Sequence, residues 1–180
     1  MIASMIYFIR HGESEANVKH VFAGQSDNSL LTEKGREQAR LEGLKIKELG
    51  FNIGKIISSP LIRAHDTAKI VAEIIGYDKK VEIDPRITEY DMGTMTGTPT
   101  HEISSRMMAA AEEAEDTNAF YNRVRSFLDE YKDSEENILM VCHAGVGRMV
   151  ETIKEKRDPI LFYDIPAYSN AAVIKLDWLN

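Results

Sequence analysis

The chain has 180 residues, enough for one hydrophobic core and too few for a second domain of ordinary size. With 43% hydrophobic and 28% charged residues its composition is that of a globular protein, and 29 acidic against 22 basic residues, a formal charge of −7, exclude a general nucleic-acid or anionic-membrane surface. Cys142 is the single cysteine, so no internal disulfide forms, the apolar opening Met1 to Ile9 is too short for a signal-peptide core with its flanks, and no run has transmembrane length; a cytoplasmic chain without membrane partners is expected.

In chain order, Met5-Ile6-Tyr7-Phe8-Ile9 is a continuous apolar run that stops at Arg10-His11-Gly12, the pattern of a strand buried on both faces. Thr32 caps a predicted helix that runs to about Leu49, ends at Gly50 and carries an apolar stripe of Leu41, Leu44 and Leu49. A strand over Lys55 to Ser58 follows, and Ser59-Pro60 starts a second helix that turns Ala64, Ala68, Val71, Ala72 and Ile75 inward and stops near Gly76. Val81 to Ile83 reads as a short strand. From Thr98 to Thr117 alanine, methionine and glutamate crowd together, which is read as an inserted helical lid. A helix over Asn118 to Tyr131, a strand Ile138-Leu139-Met140-Val141-Cys142 ending at His143-Ala144-Gly145, a helix after Gly145 and a strand over Ala172 to Leu176 complete the chain. Strands alternating with helices of this length predict one α/β domain over residues 1–180, a three-layer α/β/α sandwich around a mainly parallel sheet.

The two long apolar strands each end in a histidine and a glycine. Side by side, they place both imidazoles at the carboxyl edge of the sheet, where open α/β sheets bind ligands. Arg10 adjoins His11, and Arg63 sits in the first turns of the second helix, so one edge can gather a cationic basket suited to a phosphoryl dianion. An imidazole attacks phosphorus only when neutral, and neighbouring positive charge depresses its pKa and keeps it so. Guanidinium groups then hold the equatorial oxygens as charge spreads over them. A leaving alkoxide needs a proton, for which Glu89 is the candidate carboxylic acid.

Arg10-His11-Gly12-Glu13-Ser14 with Asn17 resembles the opening signature of the phosphoglycerate mutase-like, or histidine phosphatase, superfamily. Leu31-Thr32-x-x-Gly35-x-x-Gln38-Ala39 is similar to its second motif, Ser58-Ser59-Pro60-Leu61-x-Arg63-Ala64-x-x-Thr67-Ala68 to its third, Glu89 with Gly93 and Gly97 to its fourth, and His143-Ala144-Gly145 with Arg148 to its fifth. They stand in family order and span almost the whole chain. The resemblance implies that His11 is phosphorylated, that Arg10, Arg63 and His143 bind the phosphoryl group, and that Glu89 is proton donor and then acceptor. It implies further that Asn17 contacts phosphate, that Ser14 and Gly24 line the substrate side, and that no metal or other cofactor is used. Ala144 stands where a second glycine is common, and its methyl group crowds a backbone contact to phosphate.

A mutase needs added cations over the pocket to hold the dephosphorylated intermediate. Between Thr98 and Thr117 the sequence offers Arg106 against Glu102, Glu112, Glu113, Glu115 and Asp116, so the short phosphatase branch is expected, acting on a small phosphorylated substrate, with a phosphoglycerate-type phosphomutase as the alternative. Cys142 to Arg148 also matches the C-x5-R phosphate loop of cysteine-dependent phosphatases, but Val141 and Met149 depart from that family's flanks, and a buried strand cysteine is the simpler reading. A non-catalytic phosphate-binding module would keep the pocket and lose the nucleophile, the arginines or the acid; all are present. His20, His65 and His101 are expected at the surface or in packing, and Met107 and Met108 either in packing or as a wall for an apolar leaving group. The sheet edges can support a homodimer.

Overall fold

The computed structural model describes residues 5–101 and 103–179. Its centre is a sheet whose strands, in chain order, are β1 (Ile6–Arg10), β2 (Ile53–Ser58), β3 (Glu82–Ile83), β4 (Asn137–Cys142) and β5 (Val173–Lys175). Across the sheet they lie in the order β3-β2-β4-β1-β5, parallel except for the antiparallel edge strand β5. Between them run the helices α1 (Glu15–Lys19), α2 (Glu33–Glu48), α3 (Ile62–Ile75), α4 (Ser105–Ala109), α5 (Thr117–Tyr131) and α6 (Ala144–Lys154).

Alternation along the strands splits the core between two faces. Phe8, Ile57, Ile138, Met140 and Cys142 pack with Val124, Phe127 and Leu128 of α5 and Val146, Met149 and Val150 of α6. Tyr7, Ile9, Ile56, Leu139 and Val141 pack with Ile46 of α2 and Ala68, Val71 and Ala72 of α3. Helices therefore cover both faces of the sheet, and the α/β/α sandwich expected from the sequence is the fold. β1 and β4 are neighbours, Arg10 opposite Cys142, so the residues that follow them emerge together at the carboxyl edge.

Three local expectations need correcting. The buried stripe of α2 is Gly35, Ala39, Gly43 and Ile46, while Leu41, Leu44 and Leu49 are exposed. The cause is the close approach of α2 to α3, in which a Cβ on Gly43 would stand 2.9 Å from Ile74 Cβ; small residues fit there and leucines do not. The second helix begins at Ile62 rather than at Pro60, because Ser59 is drawn out of the helix and its hydroxyl is spent on Leu61 N–H and on His143. In the Thr98 to Thr117 segment only Ser105–Ala109, apart from Thr117 at the start of α5, is α-helical among the described residues, with Ser105 Oγ donating to Asp164 Oδ1 at 2.6 Å. Glu102 lies outside the described residues.

Candidate active site

His11 is the first residue beyond β1. Its N–H continues the ladder to Cys142 C=O at 2.9 Å, and its side chain is 4% exposed. Gly12 then turns the chain against the start of α2, where a Cβ on Gly12 would stand 2.3 Å from Gly35 C=O and one on Gly35 2.0 Å from Glu13 C=O. Backbone meets backbone there, so both motif glycines are steric requirements. Thr67 of α3 accepts Gly12 N–H at 3.1 Å, and Gln38 Oε1 of α2 accepts Glu13 N–H at 2.8 Å, which ties the loop to both helices.

These ties decide the state of the imidazole. Nδ1 lies 2.7 Å from Gly12 C=O, an acceptor only, so Nδ1 carries the proton and Nε2 the lone pair. Burial, followed by the charges of Arg63 and Arg10, holds His11 well below the ordinary histidine pKa. The ring of His143 stands edge-on at 5.3 Å between centroids. His143 is fully buried and likewise held neutral, by burial first and Arg63 second; its Nε2 pairs with Ser59 Oγ at 2.7 Å, and its buried Nδ1 has no protein partner.

Both arginines are anchored by one end. Arg63, 1% exposed, donates through Nη1 to Asp27 C=O at 2.9 Å and through Nη2 to Gly24 C=O at 2.8 Å, while its buried Nε has no protein partner. Arg10 Nη1 donates to Tyr168 C=O at 2.9 Å, and its Nε is likewise unpartnered. Buried guanidinium donors left in this way are ready for an anion. Glu89, 7% exposed, accepts Tyr90 N–H at 2.8 Å on Oε1 and Gly145 N–H at 3.1 Å on Oε2. Its main chain is held by Arg123, which bonds Glu89 C=O at 2.9 Å and pairs with Glu115 at 2.7 Å.

A cavity of about 420 Å³ opens over this group, lined by Arg10, His11, Arg63 and Glu89. Ser14, Asn17, Gly24 and Ala144 also reach its wall. His143 does not; it stands buried beside His11. Ser14 Oγ is a buried hydroxyl without a protein partner. His20, expected at the surface or in packing, is exposed and also lines the cavity. The apolar wall is made by Phe22, Met92 and Tyr163; Met107 is exposed and Met108 lies in the core. Of the described residues 98–117, Thr100 alone reaches the cavity, and Arg106 is exposed. Arg148, one turn into α6, brings a further guanidinium into the cavity wall with its Cζ 3.9 Å from the Tyr163 ring centroid; its motif position was a signal, but Tyr163 carried none. Cys142 is buried in the sheet, its thiol pushed well above the ordinary pKa by burial. Among the described residues no group of three or more His, Cys, Asp or Glu stands together as a metal site.

An open α/β sheet whose carboxyl edge holds a neutral imidazole between anchored arginines, with a carboxylate at the same cavity, defines a phosphoryl-binding class of protein. The Histidine phosphatase superfamily (branch 1) matches residues 6–180, and the chain belongs to that family. It is 33% identical over 163 residues to a probable phosphoglycerate mutase of Erwinia tasmaniensis, with 82% of this chain and 74% of that protein covered. To the 2,3-bisphosphoglycerate-dependent phosphoglycerate mutase of Thermoplasma acidophilum it is 40% identical over 97 residues, with 54% of this chain and 46% of that protein covered, so the match spans about half the length of that relative. Similar solved structures include a mycobacterial glucosyl-3-phosphoglycerate phosphatase, with a TM-score of 0.78, 21% identity and 96% and 90% of the two chains covered. A phosphoserine phosphatase mutant of Entamoeba histolytica gives a TM-score of 0.78, 22% identity and 96% and 89%. These structures share the fold.

Proposed function

We propose that this protein is a metal-independent phosphomonoester hydrolase that works through a phosphohistidine on His11. The observation that carries the reading is the hydrogen bond from His11 Nδ1 to Gly12 C=O, which leaves the Nε2 lone pair as the nucleophile between Arg10 and Arg63. Nε2 attacks phosphorus and the bond to the ester oxygen breaks. The free donors of Arg10 and Arg63 and the amide of Asn17 hold the phosphoryl oxygens, while His143 stands buried against the edge of the His11 ring. Glu89 in its acid form gives its proton to the departing oxygen. Water then attacks the phosphohistidine, Glu89 takes the water's proton, and inorganic phosphate leaves with His11 restored.

Hydrolysis is preferred to mutase chemistry because the cavity's cations come from the phosphoryl-binding edge and from α6. Among the described residues 98–117 none brings charge to it. Glu115 is neutralised by Arg123, so the acidity of that segment is partly internal. A phosphomutase is the second reading, favoured by the names of the sequence relatives and by Arg148, which can hold an acid group of a dephosphorylated intermediate. Ser14 and Gly24 then face the leaving group, with Thr100 at the same cavity wall. No helix among the described residues is long and apolar enough to cross a membrane. Cytoplasmic placement remains part of the proposal. Incubation with a panel of phosphomonoesters in the presence of a chelator releases inorganic phosphate if the reading holds; interconversion of phosphoglycerates without net release overturns it in favour of the mutase.

A further inference from the structure

We infer that Asn170 is a positioning residue of this site: its amide decides which end of the Asn17 side chain faces the cavity and holds the backbone of the nucleophile in register. The inference rests on the proposed phosphoryl-transfer role of His11. Asn170 lies far along the chain from both residues, in the segment that leads into β5, and its Nδ2 donates to His11 C=O at 2.8 Å and to Asn17 Oδ1 at 3.2 Å. Both of its amide hydrogens are thereby spent on the site.

Asn17 Oδ1 also accepts Ser14 N–H at 3.1 Å. A carbonyl oxygen has two lone pairs, and here both are taken by donors from the protein side. Turning the Asn17 amide over would set its NH2 against Ser14 N–H and the Asn170 NH2, donor against donor. The Asn17 oxygen is therefore fixed away from the ligand, and its Nδ2, on a residue that lines the cavity, is left to donate to a phosphoryl oxygen. A free asparagine at this place would present its oxygen to the dianion as readily as its nitrogen; Asn170 removes that choice before substrate arrives.

The neighbours of Asn170 act on the same end of the pocket. Ala171 N–H donates to Arg10 C=O at 2.8 Å, and Tyr168 C=O receives Arg10 Nη1 at 2.9 Å. Arg10, His11 and Asn17 are thus all held by residues 168–171. That segment is itself anchored, through the Tyr168 hydroxyl on Glu151 of α6 and the Tyr168 ring against Phe8 at 5.3 Å between centroids.

Asn170→Asp tests this without changing shape, since it replaces two hydrogens by an acceptor facing His11 C=O and Asn17 Oδ1. It is compared with the uncharged Asn170→Ala, each in the wild-type and Asn17→Ala backgrounds. The measurements are kcat/KM for p-nitrophenyl phosphate, product inhibition by inorganic phosphate and the thermal midpoint. The expected result is a fall of about tenfold or more in kcat/KM for both variants, with phosphate inhibition weakened in parallel and a midpoint close to wild type. In the Asn17→Ala background the same substitutions cost clearly less than in wild type, because the part that acts through Asn17 is already gone and only the hold on His11 C=O is left to lose. Wild-type kinetics in Asn170→Asp, or a full additive loss in the Asn17→Ala background, overturns the assignment. If Asn170→Asp does not fold, the Asn170→Ala cycle decides by the same non-additivity. His11→Ala, run alongside, separates the two layers: activity that survives it refutes the phosphohistidine reading, whereas loss of activity in His11→Ala with wild-type kinetics in Asn170→Asp refutes only the role of Asn170.

Discussion

At the scale of single residues the site is a set of groups each pinned in place by hydrogen bonds to the surrounding chain. Glu89 is the case where the pin is most exposed to perturbation. A Cβ on Gly145 would stand 2.2 Å from Glu89 Oε1, so Gly145→Ala must swing the carboxylate off the backbone N–H groups that hold it. The expected result is a fall in kcat/KM of about 10-fold to 100-fold for alkyl phosphates, whose leaving oxygen needs a proton. The fall is smaller for p-nitrophenyl phosphate, whose leaving group does not. Steady-state kinetics on both esters measure this, and equal losses on both would remove Glu89 from the role of acid. Cys142, by contrast, is buried with its thiol held protonated, and Cys142→Ala is expected to keep wild-type kcat; loss of turnover with a folded protein would restore the thiol as nucleophile.

The same scale explains what could be read in advance. His11, Arg10, Arg63, Glu89 and His143 were legible because motif spacing and strand ends carry them to one edge. Arg148 had a motif position, but its arrival beside Tyr163 depends on how α6 meets the 3-10 turn over Pro159–Asp164, a contact with no local pattern. Asn170 had no signal at all, since a single asparagine before an edge strand acquires meaning only from what the fold sets against it.

At the scale of elements, periodicity gave the helices and strands but misjudged which side of α2 is buried. Counting leucines overlooked that small residues permit close helix contact, so the stripe is Gly35, Ala39, Gly43 and Ile46. The five-residue helix α1 was missed because one turn is too short for an apolar period to emerge. The correction is measurable. Ile46→Ala, at a fully buried position, is expected to destabilise by roughly 2–5 kcal/mol, and Leu44→Ala, at an exposed one, to stay within about 0.5 kcal/mol of wild type, both read from urea unfolding. Similar losses in the two variants would contradict the α2–α3 packing.

At the scale of the whole molecule, an acidic chain of formal charge −7 keeps an anion site by concentrating Arg10, Arg63 and Arg148 around one cavity, while salt screens the distant carboxylates over about 8 Å. That concentration has a cost that depends on pH. His11 and His143 are both held below the ordinary histidine pKa of about 6.5, so between that value and their lowered values the unfolded chain binds protons that the folded chain refuses. Stability is therefore full above about pH 6.5 and falls as pH drops through that window. Urea midpoints at mildly acidic and neutral pH are expected to show a smaller acid loss in His11→Asn than in wild type; an unchanged loss would mean that His11 is not held neutral. The central claim is tested by rapid mixing with substrate, quenching in alkali and measuring intact and peptide masses. The expected result is one added phosphoryl group, stable in alkali and labile in acid, located on His11 and absent in His11→Ala; turnover with no such adduct, or an adduct on any other residue, contradicts it.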